Sequence, residues 1–414
     1  MNMKTEPGSA AEQAGPRTRM LVIATLGFAV TFWAWALISP LAPSLATKLG
    51  LSSFQQSLIV AVPVIVGSLG RIPIGALTDR FGGRLMLPIV SVATIVPVLF
   101  LAFFGDQSLA TLLIGGFFLG IGGTSFAVGV PFVSAWFPPE RRGLAIGIFG
   151  VGMVGTAISA FTTVRLVELG SSATPFLVTA AALAVYAVVA WLLLRDAPGQ
   201  VRPTTSMAKR VGETLKLGVT WQAAALYATL FGGYVAFSVY LPSLLKAEYD
   251  LSIADASNRM AGFVILAVIM RPVGGFLSDK IGPVPVLATC LGAAVFGALI
   301  DATSPALFPI ATIAYLVMAA GLGAGSGATF ALVALLSPAG KVGSVTGVVG
   351  AAGGLGGFVP PLLMGVVYGA TGSYTIGFLL LALVAAAVLV FTLTSIRSVL
   401  AKRDAVEVQR KVTA

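Results

Sequence analysis

The chain has 414 residues, of which 57% are hydrophobic and only 10% are charged, and its mean hydropathy is +0.99. A soluble domain carries about 25% charged residues, so the composition excludes that class and indicates an integral membrane protein. The formal net charge is +10, with no histidine and a single cysteine, which excludes catalysis by histidine and an internal disulfide.

In chain order, apolar runs follow one another that are long enough to cross the hydrocarbon core as helices, for which about 20 residues suffice. We predict an all-α membrane protein with twelve spans. They cover residues 20–46, 54–77, 85–104, 109–136, 143–166, 173–194, 219–245, 255–278, 283–302, 305–336, 342–368 and 374–398. The runs lack alternation of apolar and polar residues, which excludes a membrane β-barrel.

Three polar segments lie outside the spans. Residues 1–19 form an N-terminal tail without a cleavable signal, residues 195–218 form a linker rich in Pro, Gly and charge, and residues 400–414 form a C-terminal tail. The linker separates two six-helix bundles, residues 20–194 and 219–399. With both tails in the cytoplasm, most of the 25 basic residues lie in cytoplasmic tails, loops or helix ends. We therefore expect a multi-pass protein of the inner (plasma) membrane.

The two halves repeat polar and glycine positions after a step of 200 residues, as GRIPIGALTDRFGGR (residues 70–84) and MRPVGGFLSDKIG (residues 270–282) illustrate. The matching pairs are Arg71/Arg271, Gly75/Gly275, Asp79/Asp279, Gly82/Gly282, Gly143/Gly343, Gly147/Gly347 and Gly150/Gly350. Two parallel six-helix repeats are typical of major facilitator transporters, whose substrate site lies between the halves near mid-depth. Alternating access then arises when one half rocks against the other.

GALTDRFGGR (residues 75–84) resembles the loop motif between the second and third helices of major facilitator proteins, and GFLSDKIGP (residues 275–283) resembles its second-half counterpart. The resemblance implies a cytoplasmic gate, in which an aspartate lies near a helix end and a basic partner while glycines permit a tight turn. Its residues here are Gly75, Asp79, Arg80, Gly82, Arg84, Asp279 and Lys280. A basic loop that only sets orientation is the alternative.

Arg71 and Arg271 each lie about 12 Å of helix rise inside the aspartate of their own loop, near the middle of the bilayer. An arginine at this depth costs at least about 2.5–3.5 kcal/mol and faces a cavity or a partner. All fifteen acidic residues fall in tails, loops or helix ends, so no carboxylate is available at mid-depth. We predict that a permeating anion supplies the missing charge, because the guanidinium fork suits planar oxyanions. A structural role is the alternative.

Longer segments resemble a particular family. GGTSFAVGVPFVSAWFPPERRGLAIGIFGVGMVGT (residues 122–156) and GATFALVALLSPAGKVGSVTGVVGAAGGLGGFVPP (residues 327–361) resemble the two signature regions of the nitrate/nitrite porters. LYATLFGGYVAFSVYLPSLLK (residues 226–246) resembles the seventh helix of that family. The match spans most of the chain, and it implies a transporter of nitrate or nitrite.

The resemblance also implies roles for individual residues. By position, Arg71 and Arg271 correspond to the paired arginines that bind the anion. Phe126 and Phe231 correspond to the rings that sandwich it, and Tyr227 to a hydroxyl that points at the site. Taken without the resemblance, an isolated phenylalanine in a membrane helix more commonly packs as apolar bulk.

Glycines recur in the fifth and eleventh spans, where small residues allow close helix packing. Those we expect to line the pathway as well are Gly150, Gly152, Gly350 and Gly353. The family usually has Asn where this chain has Met153, which we place at the substrate and which cannot donate a hydrogen bond. Ser326 and Ala331 also replace residues that are frequently more polar or basic. These departures leave open another small monoanion, or an organic acid such as formate or oxalate.

The chain has no histidine, and its carboxylates fall in tails, loops or helix ends, so no such group is available at mid-depth to carry a proton. We therefore predict anion exchange, although a proton can still travel with the anion. No nucleophile with a base, metal cluster or phosphate loop is present, so we predict neither an enzyme nor a cofactor. Two unpaired arginines argue against export of lipophilic cations. An anion sensor is a further alternative, which the short tails disfavour. We expect a monomer whose partners are the anion and the bilayer, with no nucleic acid.

Overall fold

The computed structural model describes residues 14–198, 207–338 and 341–401, and this part of the chain forms helices without strands. Twelve of the helices are long and apolar enough to cross a membrane. The first half comprises α1 (Gly15–Leu49), α2 (Ser53–Phe81), α3 (Gly83–Phe104), α4 (Leu109–Trp136), α5 (Ala145–Leu169) and α6 (Thr174–Leu193). The second half comprises α7 (Gly218–Tyr249), α8 (Ile253–Ile281), α9 (Pro283–Asp301), α10 (Leu307–Leu336), α11 (Ser344–Thr371) and α12 (Thr375–Ala401). The predicted fold class is confirmed.

The first helix begins earlier than the sequence suggested, at Gly15 within the predicted tail. Pro16 lies in its first turn, where the missing N–H of proline would have no helical partner in any case. The linker contains a short helix, Met207–Thr214. The rest of the predicted tails and linker, residues 1–13, 199–206 and 402–414, lies outside the described residues, and the domain boundaries stay predictions.

Four helices of the first half are interrupted, α1 by a turn at residues 36–37 and three others beside the candidate site. α2 breaks at Gly70, so that its second segment starts at Arg71. α4 contains a 3-10 turn at Gly120–Thr124, and α5 contains one at Val151–Val154. Bare backbone at these turns allows close approach between helices, since a Cβ added at Gly123 would lie 3.1 Å from the Cα of Gly67.

The loops define two faces of the bundle. The inner face holds the loops at Gly82 and Gly282, and the outer face holds the loops at Gly50 and Asp250. Gly82 and Gly282 have φ angles of +87° and +86°, a region that glycine enters without the steric cost of a side chain. The 200-residue repeat therefore preserves the backbone of the inner turns as well as their sequence.

The two halves touch at the outer face. The hydroxyl of Ser39 on α1 donates to the carbonyl of Val239 on α7, at 2.5 Å. Nη1 of Arg165 on α5 donates to Oδ1 of Asn258 on α8, at 2.9 Å. These two bonds join opposite halves, so the outer ends of the bundle are closed against each other.

Small residues complete this outer closure where α2 meets α11. A Cβ added at Gly365 would lie 2.0 Å from Oγ of Ser57, so only glycine allows the two helices to come this close. Toward the inner face the glycines face open space instead, because a Cβ added at Gly147 or Gly347 meets no atom within 4 Å. The halves thus pack closely at the outer face, whereas Gly147 and Gly347 toward the inner face have no such close neighbour.

Candidate functional site

Arg71 lies at the interface between the halves and is only 7% exposed. Its Nη1 donates to the carbonyl oxygen of Gly350 on α11 at 2.7 Å, and its Nε donates to the carbonyl oxygen of Gly123 on α4 at 3.4 Å. Its Cζ lies 5.2 Å from the ring centroid of Phe126, within cation–π range. All of these partners are neutral.

Arg271, on α8, reaches across the interface in the opposite direction. Its Nη1 lies 2.7 Å from Sδ of Met153 on α5, and its Nη2 donates to the hydroxyl of Tyr227 at 2.7 Å. Met153 is buried. The structure therefore places Met153 against an arginine of the site rather than in contact with helices alone.

Neither Arg71 nor Arg271 forms an ion pair with a carboxylate of the described residues. Phe231 lies close to both arginines. It lines a cavity together with Arg71, and its ring centroid lies 5.4 Å from Cζ of Arg271. Two positive charges thus lie in one region of the interface, and the described residues supply no carboxylate to either of them. Burying two charges without a partner costs free energy, and a bound anion would lower that cost.

Aromatic rings form one side of this region. Tyr227 and Phe231 stack with centroids 4.6 Å apart and an interplanar angle of 3°. Phe330 meets Tyr227 edge-on at 4.8 Å, and its centroid lies 5.9 Å from Cζ of Arg271. The second half therefore presents flat apolar surfaces beside a guanidinium, while Phe126 does so in the first half.

The four glycines predicted to line the pathway differ in their surroundings. A Cβ added at Gly150 meets nothing within 4 Å, and one at Gly350 meets only the Phe126 ring, at 3.6 Å. By contrast, a Cβ at Gly353 would lie 2.1 Å from the Tyr227 ring, and one at Gly152 would lie 2.7 Å from Phe28. Gly150 and Gly350 thus have space at the interface, whereas Gly152 and Gly353 allow close packing.

The cavity between Arg71 and Phe231 measures about 10 Å³, roughly the room of one water molecule. Its other walls come from α1, α2, α4, α7 and α11; they include Phe32, Trp35, Val64, Ser68 and Gly354. A cavity of this size has no room for an anion of several atoms in the present conformation. Binding requires the side chains around the arginines to move.

The predicted gate residues occupy the inner end of α2 and α8. Gly75 and Asp79 are half-buried, and Asp279 is exposed. Cζ of Arg80 lies 5.2 Å from the Phe81 ring centroid, and Nζ of Lys280 lies 4.5 Å from that of Phe276. Each of these basic side chains therefore lies over an aromatic ring of its own helix.

Beyond Gly82, the first inner turn is held by a residue that the motif does not include. Oδ1 of Asp196, just after α6, accepts a hydrogen bond from the backbone N–H of Arg84 at 3.1 Å. Oδ2 of the same carboxylate lies 2.7 Å from where a Cβ on Gly82 would stand. A side chain at position 82 would therefore displace the contact as well as strain the backbone.

Sequence reasoning missed two further features of the site. Phe330 lies one helical turn after Ser326 in the second signature region, so its position was available as a signal. The hydroxyls of Thr156 and Tyr234 lie 3.3 Å apart across the interface, and the Tyr234 ring lies 5.8 Å from that of Phe231. No sequence motif indicated this contact between the halves.

Comparison with known proteins now assigns the family. A sequence model described as Major Facilitator Superfamily matches residues 24–257 and 223–412. The chain belongs to that superfamily. It is 48% identical over 381 residues to the "Probable nitrate/nitrite transporter NarK2" of Mycobacterium tuberculosis, which covers 91% of this chain and 96% of that protein. It is 36% identical over 370 residues to the "Nitrite extrusion protein" of Bacillus subtilis, with 89% and 91% covered.

A third relative is the "Probable nitrate transporter NarT" of Staphylococcus haemolyticus, 35% identical over 366 residues, with 88% of this chain and 93% of that protein covered. Within the superfamily, the chain thus belongs to the nitrate/nitrite porters, as the signature regions predicted. Among solved structures, a bacterial homologue of the lysosomal transporter Spinster has a TM-score of 0.71 at 20% identity, with 92% of this chain and 97% of that chain covered. A D-xylose-proton symporter has a TM-score of 0.71 at 17% identity, with 91% and 97% covered. At these identities the likeness shows the fold.

Proposed function

We propose that the protein carries nitrate and nitrite across the membrane by alternating access and exchanges one anion for another. The observation that carries the proposal is the pair of arginines near mid-depth whose hydrogen-bond partners are all neutral. The names of the relatives in Mycobacterium, Bacillus and Staphylococcus point to the same substrates.

The chemistry of the arginines favours a planar oxyanion. A carboxylate-like or nitrate-like anion accepts charge-assisted hydrogen bonds, which are about twice as strong as bonds to neutral acceptors. An entering anion can therefore displace the Gly350 carbonyl from Arg71 and the Met153 sulfur from Arg271. Both displaced contacts join the two halves, so binding changes the interface that has to rearrange during transport.

The aromatic rings support selection for a flat ion. Phe231 is stacked on Tyr227 and lies beside Arg271, while Phe126 lies beside Arg71. A flat ion can be held by both guanidiniums while its faces lie against rings, whereas a spherical ion makes fewer such contacts. We propose Phe126, Tyr227, Phe231 and Met153 as substrate-binding residues together with the arginines.

The charges at the interface support exchange. The interface of the described chain offers the arginines no carboxylate, so an empty carrier keeps two like charges close to each other in a region of low dielectric. An anion removes that repulsion and lets the halves close, and its release restores the need for another anion. We further infer that the inner face is cytoplasmic, since the basic loops lie there, and that the protein resides in the plasma membrane.

Counterflow in proteoliposomes tests the proposal. Vesicles are loaded with labelled nitrate, and efflux is measured with nitrate, nitrite, formate, chloride or no anion outside, at several pH values and without a proton gradient. We expect nitrate and nitrite outside to accelerate efflux, and chloride to have little effect. Acceleration by formate alone would favour the organic-acid alternative. An efflux rate that is the same with every outside anion, or efflux that needs a proton gradient, would refute exchange.

A further inference from the structure

A second cavity lies away from the anion site, at the inner face of the first half. It measures about 250 Å³ and is lined by Phe81, Arg84, Leu85, Trp191 and Asp196. These residues come from the turn between α2 and α3 and from the end of α6. The cavity therefore lies where the membrane-crossing helices end, at the boundary between the hydrocarbon core and water.

One wall of this cavity continues as a lipid-facing surface. On α6, Val185, Val188, Trp191 and Leu192 are all exposed, by 65%, 59%, 56% and 69%. These apolar side chains line the helix from mid-membrane to its inner end. Tryptophan at the end of such a surface is typical of the headgroup region. An acyl chain can lie along α6 with its headgroup at the cavity.

The cavity also contains one positive and one negative side chain. The Arg84 guanidinium is exposed, and the described residues give it no hydrogen-bond or ion-pair partner. The Asp196 carboxylate is fixed in place, because its Oδ1 accepts the N–H of Arg84 at 3.1 Å and the preceding carbonyl, of Arg195, accepts Nε1 of Trp136 at 3.2 Å. The two side chains share the cavity without forming a salt bridge.

We propose that this cavity binds the headgroup of a phospholipid that carries both a phosphate and a primary ammonium, phosphatidylethanolamine. The phosphate is the partner for Arg84, whose guanidinium forms charge-assisted bonds to phosphate oxygens. The ammonium is the partner for the Oδ2 atom of Asp196. Phosphatidylcholine lacks N–H donors for that carboxylate, and phosphatidylglycerol lacks a cation. The proposal does not depend on the transported anion.

The internal repeat supplies a comparison within the same chain. After the 200-residue step, Val284 stands in place of Arg84, Ile396 in place of Asp196 and Phe391 in place of Trp191. Ile396 is buried, and the turn at Gly282 has only the Pro285 ring near it, at 4.0 Å. The second half therefore lacks both charges at the equivalent positions, and we expect one headgroup site per chain.

Native mass spectrometry of the purified full chain tests the proposal. The protein is mixed with palmitoyl-oleoyl phosphatidylethanolamine, phosphatidylcholine or phosphatidylglycerol at equal concentration, without nitrate or nitrite, and bound lipid is counted. We expect one phosphatidylethanolamine to be retained in preference to the other two lipids. Arg84→Val and Asp196→Asn should each reduce that occupancy by about five-fold, as expected for a partly exposed ion pair.

The variants are chosen to keep the fold. Asn at position 196 still accepts the N–H of Arg84 but carries no charge for an ammonium, and a thermal melt checks that each variant is folded. Arg397→Val, which removes an exposed basic residue from the inner end of α12, is the control and should leave retention unchanged. Equal retention of the three lipids, stronger retention of phosphatidylglycerol, or unchanged retention in folded Arg84→Val and Asp196→Asn would overturn the proposal.

Discussion

At the scale of single residues, the site is defined by the acceptors that the two arginines use. Arg71 uses a backbone carbonyl of the opposite half, and Arg271 uses the Met153 sulfur and the Tyr227 hydroxyl. A thioether is a weak acceptor and no donor. Met153 therefore gives Arg271 a weak acceptor and would give a bound anion no donor.

Met153→Asn should change the preference between nitrate and nitrite. The amide oxygen can accept from Arg271 while the amide N–H donates to an anion oxygen, and one such charge-assisted bond changes affinity by roughly ten-fold or more. Competition constants for both anions, measured on the purified variant, give the ratio. Met153→Leu, which keeps apolar bulk without a donor, should leave the ratio unaltered. A lower melting temperature with an unaltered ratio in Met153→Asn would assign residue 153 to packing.

At the scale of helices, the outer closure depends on small residues where α2 packs on α11. Ser57 lies against Gly365, and Ser53 lies 3.6 Å from a Cβ added at Gly369. Small residues let membrane helices approach until their backbones pack. Since this contact joins opposite halves, it sets the stability of the state in which the outer face is closed.

Gly365→Leu should open the outer face. The added side chain cannot fit beside Ser57, so the outer ends of the halves must separate. The readout is labelling of Ser39→Cys, a buried position of the outer closure, by an impermeant maleimide in a Cys290→Ser background. We expect several-fold faster labelling, because the closed state loses population.

The matched control for this substitution is Gly262→Leu on α8, where an added Cβ meets nothing within 4 Å. Its labelling rate should equal that of the parent. Equal rates in the Gly365→Leu and Gly262→Leu proteins would show that the α2–α11 packing does not hold the outer face closed.

The outer loops contain a further contact, within the first half. Nζ of Lys48 lies 2.6 Å from Oδ2 of Asp106, and Ser172 donates to the same oxygen at 3.2 Å. The hydrogen bond from Lys48, aided by its charge and by Ser172, lowers the pKa of Asp106 below its ordinary value of 3.8. The ion pair links the end of α1 to the loop between α3 and α4.

Asp106→Asn should lower the melting temperature slightly at neutral pH, because a partly exposed pair contributes less than about 1 kcal/mol. The folded-state pKa is lowered, so the stabilisation is present above the unfolded value and is lost as the pH falls through the folded value. The difference from wild type should hold between about pH 5 and 8, shrink below about pH 4, and shrink in high salt. A difference in melting temperature that is independent of pH and salt would show that Asp106 stabilises the fold by packing and not by its charge.

At the scale of the whole molecule, composition was enough to predict the twelve spans. The 200-residue repeat was enough to identify Arg71 and Arg271 as equivalent positions of the two halves. The contacts across the interface were not predictable, because they depend on which face is closed. The sequence also suggested that Asp301 lies at a helix end, away from the membrane interior. The structure buries its carboxylate at the outer end of α9 with no partner for either oxygen among the described residues, since burial there follows from how α9 packs on its neighbours.

The central claim is that Arg71 and Arg271 together bind a planar anion, and equilibrium binding of nitrate tests it most directly. Titration calorimetry on the purified protein should give saturable nitrate binding that nitrite displaces and chloride does not. Arg71→Lys and Arg271→Lys should each weaken it about ten-fold or more, because an ammonium cannot reproduce a bidentate fork. Arg259→Lys, at an exposed ion pair with Asp255, should bind as wild type does. Wild-type nitrate affinity in a folded Arg71→Lys or Arg271→Lys protein would contradict the account.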